Sequence, residues 1–173
     1  AVPPPAARVA PGAPLVPYAP RGDPPNTRDL ARLRHEHQVL ARFDDPAIIR
    51  THGLLELGDR AILVMDDFVG TTLAERLPPA GLPLAEFLVI APRLVRALAV
   101  IHDRDVVHHN LGPGNILVDA TLQRVILVDF SLASALAEER SEFATRELQG
   151  GSLTHISPEQ TGRINRNLDH RSD

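Results

Sequence analysis

The stretch that most constrains this chain runs from Val106 to Asp129, VVHHNLGPGNILVDATLQRVILVD. It holds two short aliphatic runs, Ile116-Leu117-Val118 and Val125-Ile126-Leu127-Val128. Polar, turn-prone residues from Asp119 to Arg124 separate them. Two β-rich runs around such a break predict a β-hairpin. A hairpin brings its outer ends together, and each outer end here carries an oxygen donor, Asn115 before the first run and Asp129 after the second. Hard cations such as Mg²⁺ prefer ligands of that kind. A plain hairpin with a capping Asn and a solvated Asp would look the same over these residues alone, so the decision rests on what surrounds them.

Three motifs surround them. His108-His109-Asn110-x-x-x-x-Asn115 resembles the protein-kinase catalytic loop H-R-D-x-x-x-x-N. Asp129-Phe130-Ser131 resembles D-F-G, and Ser157-Pro158-Glu159 resembles A-P-E, in the same order as in kinases. The segment from Ser157 to Asp173 is also similar to the stretch after A-P-E in large bacterial hybrid signalling proteins. Those proteins carry an N-terminal serine/threonine-kinase-like domain, then an ATPase module, then often a histidine kinase.

The resemblance implies an α+β, protein-kinase-like two-lobed fold, incomplete at both ends. Residues 1–25 would be a Pro-rich lead-in or a decayed start of the N-lobe. Residues 26–70 would be a partial N-lobe and hinge, and residues 71–173 the first part of the helical C-lobe with catalytic loop and activation segment. ATP and Mg²⁺ are the implied cofactors, bound weakly or lost. Asp129 and Asn115 fall at the metal positions, and Glu36, Asp66, Phe68 and Asn115 at cofactor-binding positions. His108 and Asn110 fall in the catalytic loop. Asp173 falls where kinases have an aspartate on the central helix of the helical lobe.

Three departures bear on activity. The catalytic-loop aspartate, which accepts the substrate hydroxyl proton in kinases, is replaced by Asn110. The glycine of D-F-G is replaced by Ser131. All 18 basic residues are Arg, so the strand lysine that holds the nucleotide phosphates is not in this chain. Tyr18 falls near the lysine position, and Arg21 is the nearest substitute cation. Gly12 is the only glycine before Gly22, which leaves no G-x-G-x-x-G phosphate loop.

Residues 1–25 contain nine of the sixteen prolines. Proline removes ladder donors, so a regular sheet is not expected there. Asn26 to Phe43 reads as an amphipathic helix capped by Asn26 or Thr27, with Leu30, Leu33, Leu40 and Phe43 on one face. Glu36 shares that inward face and needs a partner. Ile48-Ile49 and Gly53 to Leu57 read as strand, Gly58-Asp59 as a turn, and Ala61 to Met65 as the return strand. Asp66 to Gly70 resembles the kinase hinge, whose backbone bonds the adenine edge. Thr71 to Leu77 reads as a short helix capped by Thr71 or Thr72. Leu84, Phe87, Leu88, Ala91, Leu94, Val95, Leu98 and Ile101 form a long apolar stripe, expected to be a buried helix despite Pro92. Ser141, Thr145 and Ser152 lie in the polar segment after Asp129 and are candidate phosphorylation sites or ordinary loop hydroxyls.

Composition narrows the function classes. The net charge of −4 gives no basic field for nucleic acid. There is no Cys, which rules out disulfides and thiolate metal sites within the chain. No apolar run reaches transmembrane length, and a cytoplasmic location is expected. Two functions of different class stand. One is a pseudokinase scaffold that relays signals to domains beyond residue 173. The other is an atypical serine/threonine protein kinase that is active in its full-length protein.

Overall fold

The computed structural model describes residues 14–20, 25–135, 155–161 and 168–173. Among the described residues, three small antiparallel sheets and two main helices carry the fold. Strand β1 (Leu15–Tyr18), helix α1 (Thr27–Leu40), β2 (Thr51–Leu57) and β3 (Arg60–Asp66) form the first layer. The sheet order is β1-β3-β2. The β2–β3 hairpin closes through Gly58, whose φ of 63° is the left-handed conformation that glycine adopts without strain. A bulge between Thr51 and Gly53 breaks the β2 register.

β1 departs from the expectation that the proline-rich start would form no sheet. Leu15–Tyr18 pairs antiparallel with β3, placing Leu15 opposite Asp66 and Tyr18 opposite Leu63. Among the described residues β1 is an edge strand, a sheet position that tolerates Pro17. Arg21 lies outside the described residues. Helix α1 starts where the sequence predicts: the Asn26 side chain accepts from the Asp29 N–H at 2.8 Å. It ends at Leu40, short of Phe43, although Phe43 is still buried. Its inner face buries Leu30, Leu33, Glu36, Val39 and Leu40.

Residues 47–50 form no strand, contrary to the reading of Ile48-Ile49. Ile48 makes a single parallel bridge to Leu127. Ile49 N–H donates to the Leu127 carbonyl at 3.1 Å, and Leu127 N–H donates to the Ala47 carbonyl at 2.9 Å. These bonds join the first layer to the second.

The second sheet has the order β4 (Thr71–Thr72), β6 (Ile116–Val118), β7 (Val125–Leu127). Thr71 is therefore strand rather than helix. Thr72 caps the four-residue helix α2 (Leu73–Arg76) in a capping box with Glu75. Gly70 sits where an added Cβ would lie 2.3 Å from the Phe68 ring and 2.4 Å from the Val118 carbonyl oxygen, so no side chain fits. Helix α3 (Leu84–His102) runs through Pro92 and packs on β7. Its buried residues are Ile90, Ala97 and Ile101, whereas Leu84, Phe87, Leu88 and Val95 are exposed. The apolar stripe is thus wider than the face turned to β7. Leu88, whose carbonyl loses its helical donor to Pro92, lies on the exposed side of α3.

Two-residue strands β5 (Val106–Val107) and β8 (Ser134–Ala135) pair beside this layer. Short 3₁₀ turns span Pro113–Asn115 and His170–Ser172. Ser141, Thr145 and Ser152 lie outside the described residues. No described helix is long and apolar enough to cross a membrane. Replacing Asn26 by Ala removes the acceptor at the start of α1, and we expect a loss of about 1 kcal/mol in urea unfolding that Asn26→Ser largely avoids.

Candidate active site

The hairpin β6–β7 forms in the expected register, Ile116 opposite Leu127 and Val118 opposite Val125. Its outer ends meet: Val128 N–H donates to the Asn115 carbonyl at 3.1 Å. Asn115 and Asp129 are therefore neighbours at the mouth of the hairpin, both half-buried. Asn115 Nδ2 donates to the Asn110 carbonyl at 2.8 Å. That bond ties the 3₁₀ turn to the loop that starts at His108.

This loop is held from below by Asp173. Its side chain is fully buried. Asp173 Oδ2 accepts from His108 N–H at 2.8 Å, and Oδ1 accepts from His109 N–H at 2.9 Å. His102 Nε2 adds a contact of 2.9 Å to Oδ2. His109 has φ 62°, a costly conformation for a residue with a Cβ. Two charge-assisted bonds on adjacent amides are what hold it there.

His108, expected in the catalytic set, has no exposed surface. Burial pushes its imidazole below the usual histidine range, with the Asp173 charge opposing. Held neutral, its Nδ1 accepts from Asn110 N–H at 3.3 Å and its Nε2 donates to the Val128 carbonyl at 3.1 Å. The ring lies 4.7 Å from Phe130, centroid to centroid. His108 therefore bridges the loop to the strand that delivers Asp129, and no substrate reaches it.

Asp129 has φ 63°, also left-handed. Its Oδ2 accepts from Asn110 Nδ2 at 2.8 Å, and its Oδ1 accepts from Ser131 Oγ at 2.6 Å. Phe130, fully buried, donates its backbone N–H to Glu36 Oε1 at 3.1 Å. Helix α1 is docked onto this segment a second time through His35 Nε2 and the Ala133 carbonyl. Glu36 points inward as its spacing predicts, and among the described residues no cation pairs with it. Burial, then the Asp129 charge, raise its carboxyl from near 4.5 to about 7, against the lowering effect of the Phe130 bond.

The hinge residues stand apart from this cluster. Asp66 Oδ1 pairs with His52 Nε2, and Asp66 N–H donates to the Arg50 carbonyl at 3.0 Å. The Phe68 ring lies under the Arg124 guanidinium, 4.9 Å from its centroid. A cleft of about 280 Å³ includes Asp66 and Phe68 with Asp44 to Pro46 and Ile48 to Arg50, but not Asn110, Asn115 or Asp129.

A family model described as protein kinase domain matches residues 22–173. The chain belongs to the protein kinase family. Its α+β architecture is that of a kinase domain. It is 29% identical over 145 residues to the serine/threonine-protein kinase pkn2 of Myxococcus xanthus, covering 82% of this chain and 17% of that protein. It is 34% identical over 133 residues to the serine/threonine-protein kinase PrkC of Bacillus subtilis, covering 76% of this chain and 20% of that protein. It is 34% identical over 141 residues to the DNA damage-responsive serine/threonine-protein kinase RqkA of Deinococcus radiodurans, with 76% and 20% covered. The kinase domain here thus spans about a fifth of the length of these relatives.

Family members use ATP and Mg²⁺. Asp129 and Asn115 supply a carboxylate and a carboxamide, and the Asp129 oxygens, each accepting one hydrogen bond, keep lone pairs for a cation. The donor set therefore fits Mg²⁺ in kind. Two contributors had no sequence signal. Gln160, 6% exposed, donates to the His109 carbonyl at 2.8 Å and accepts from Ser157. The other is His35, whose contact with the Ala133 carbonyl anchors α1 and is visible only in three dimensions.

Asp173→Ala would leave two adjacent backbone N–H groups without acceptors, and we expect a loss of about 3 kcal/mol in chemical denaturation. For Glu36, the raised folded pKa means stability is fully present below about pH 4.5 and falls as pH rises towards about 7. Glu36→Gln removes that titration. It should be more stable than the parent at pH 8 by on the order of 3 kcal/mol, a difference that shrinks towards pH 4.5.

Proposed function

We propose that the chain is a serine/threonine-kinase-like domain with impaired phosphotransfer that works as a scaffold in bacterial signal transduction. It would sit in the cytoplasm and relay to domains C-terminal of it in its full-length protein. Residues 26–70 would form the partial N-lobe and hinge, and residues 71–173 the start of the C-lobe.

One observation carries this reading: Asn110 Nδ2 donates to Asp129 at 2.8 Å. In kinases this loop position accepts the proton of the attacking hydroxyl. A carboxamide cannot take that proton, and a positioned base contributes typically about 10²–10⁴-fold. Here the side chain is also turned onto a neighbouring carboxylate. The phosphate lysine is absent, and Glu36, its usual partner, rests on the Phe130 amide instead.

ATP with Mg²⁺, when bound, would supply the phosphoryl group and the charge that neutralises it. Asp129 and Asn115 would hold the metal weakly or not at all. Asp66 and Phe68 would present the hinge backbone to the adenine edge. Among the described residues no group accepts from the Phe68 N–H, which leaves that donor open. His108 would position the loop rather than take part in chemistry.

The second reading, an active atypical kinase in its full-length protein, is favoured by the intact frame: Glu36 inward and Asp129 seated beside Asn115. Incubation with radiolabelled ATP and a generic Ser/Thr substrate separates the two. We expect no transfer above background, and none after Asn110→Asp alone, because phosphate anchoring would still be lacking. Incorporation that disappears in Asp129→Ala would establish the active reading.

A further inference from the structure

Two positions at the mouth of the β6–β7 hairpin depart from the family pattern, and both end on one carboxylate. Asn110 Nδ2 donates to Asp129 Oδ2 at 2.8 Å. Ser131 Oγ donates to Asp129 Oδ1 at 2.6 Å. The family's aspartate at the first position has no donor when ionised, and its glycine at the second has no side chain. Each departure therefore adds a donor where the pattern has none, and the two donors take one oxygen each.

Neither partner is free to turn away. The Asp129 backbone is fixed in the left-handed region, and the next amide is bound to buried Glu36. The Asn110 backbone is held on both sides, its N–H by His108 Nδ1 at 3.3 Å and its carbonyl by Asn115 Nδ2 at 2.8 Å. A half-buried carboxylate needs either a cation or hydrogen-bond donors as partners. Among the described residues no ion pair involves Asp129, and no group of three or more His, Cys, Asp and Glu could hold a metal.

We infer that Asn110 and Ser131 are paired positioning residues that take the place of a divalent cation at Asp129. They hold the carboxylate seated by hydrogen bonds, so that the domain keeps its catalytic-loop geometry without metal. The inference rests on reading Asp129 as the family's metal position. A cation approaching Asp129 must share each oxygen with a donor already in place. The two substitutions act together. Asn110→Asp would remove the donor on Oδ2 and set a second carboxylate beside Asp129, a repulsion that a cation between the two relieves.

The test uses no nucleotide and no phosphotransfer, so it stands or falls apart from the proposed loss of activity. Melting temperatures are compared in EDTA, Mg²⁺ and Mn²⁺ for the parent, Asn110→Asp, Ser131→Gly and the double variant. The parent should move by less than about 1 °C between EDTA and metal, and the double variant should rise by about 4 °C or more. Asp129→Asn in the double-variant background should abolish that rise. A parent that gains as much as the double variant overturns the inference, as does a folded double variant indifferent to metal. If the double variant does not fold, Mn²⁺ binding to the parent, read by electron paramagnetic resonance, decides. No binding at millimolar Mn²⁺ supports the inference, and binding that vanishes in Asp129→Asn overturns it.

Discussion

One buried carboxylate holds the centre of this domain. Asp173 accepts the backbone N–H groups of His108 and His109 and so fixes a turn whose second residue is left-handed. From that turn the loop runs to Asn110 and Asn115, and everything at the hairpin mouth takes its position from it. Gln160 closes the same turn from the other side through the His109 carbonyl. A stretch of loop is thereby held with the rigidity of regular structure, by side-chain acceptors and donors rather than by a ladder.

The second fixed point is Phe130. It is fully buried between Phe43 and His108, with ring centroids 6.0 and 4.7 Å away. Its amide is bound by Glu36 from helix α1. One residue thus joins the helix of the first layer to the strand of the second, next to the residue that carries the Asp129 carboxylate. The cost falls on Glu36, which is buried beside a like charge and has no cation partner among the described residues. That is why its carboxyl titrates near neutrality.

The domain belongs to the kinase family and departs from its motifs at Asn110 and Ser131. Burial of Phe130 and its amide bond to Glu36 seat the segment that carries Asp129. The chain has no lysine, and Asn110 in the catalytic loop donates to Asp129. Frame and chemistry separate because they rest on different physics. The frame depends on burial and on backbone bonds shared among many residues, whereas proton acceptance and phosphate anchoring each depend on one side chain.

The sequence by itself determined the hairpin, the cap at Asn26, the inward face of α1 with Glu36, and the three family motifs. Each of these is set by local periodicity or by residue type at fixed spacing. It also determined that no lysine is available. Only the tertiary structure decided that Leu15–Tyr18 forms an edge strand, because an unpaired neighbour on β3 outweighs the cost of Pro17 there. It decided which side of the α3 stripe is covered, since periodicity shows a face but not the width of what packs on it. It also decided that Asn110 and Ser131, twenty-one positions apart in the chain, donate to the same carboxylate. Hydrogen bonds between distant residues are fixed by where the folded backbone places their ends, and no local pattern encodes that.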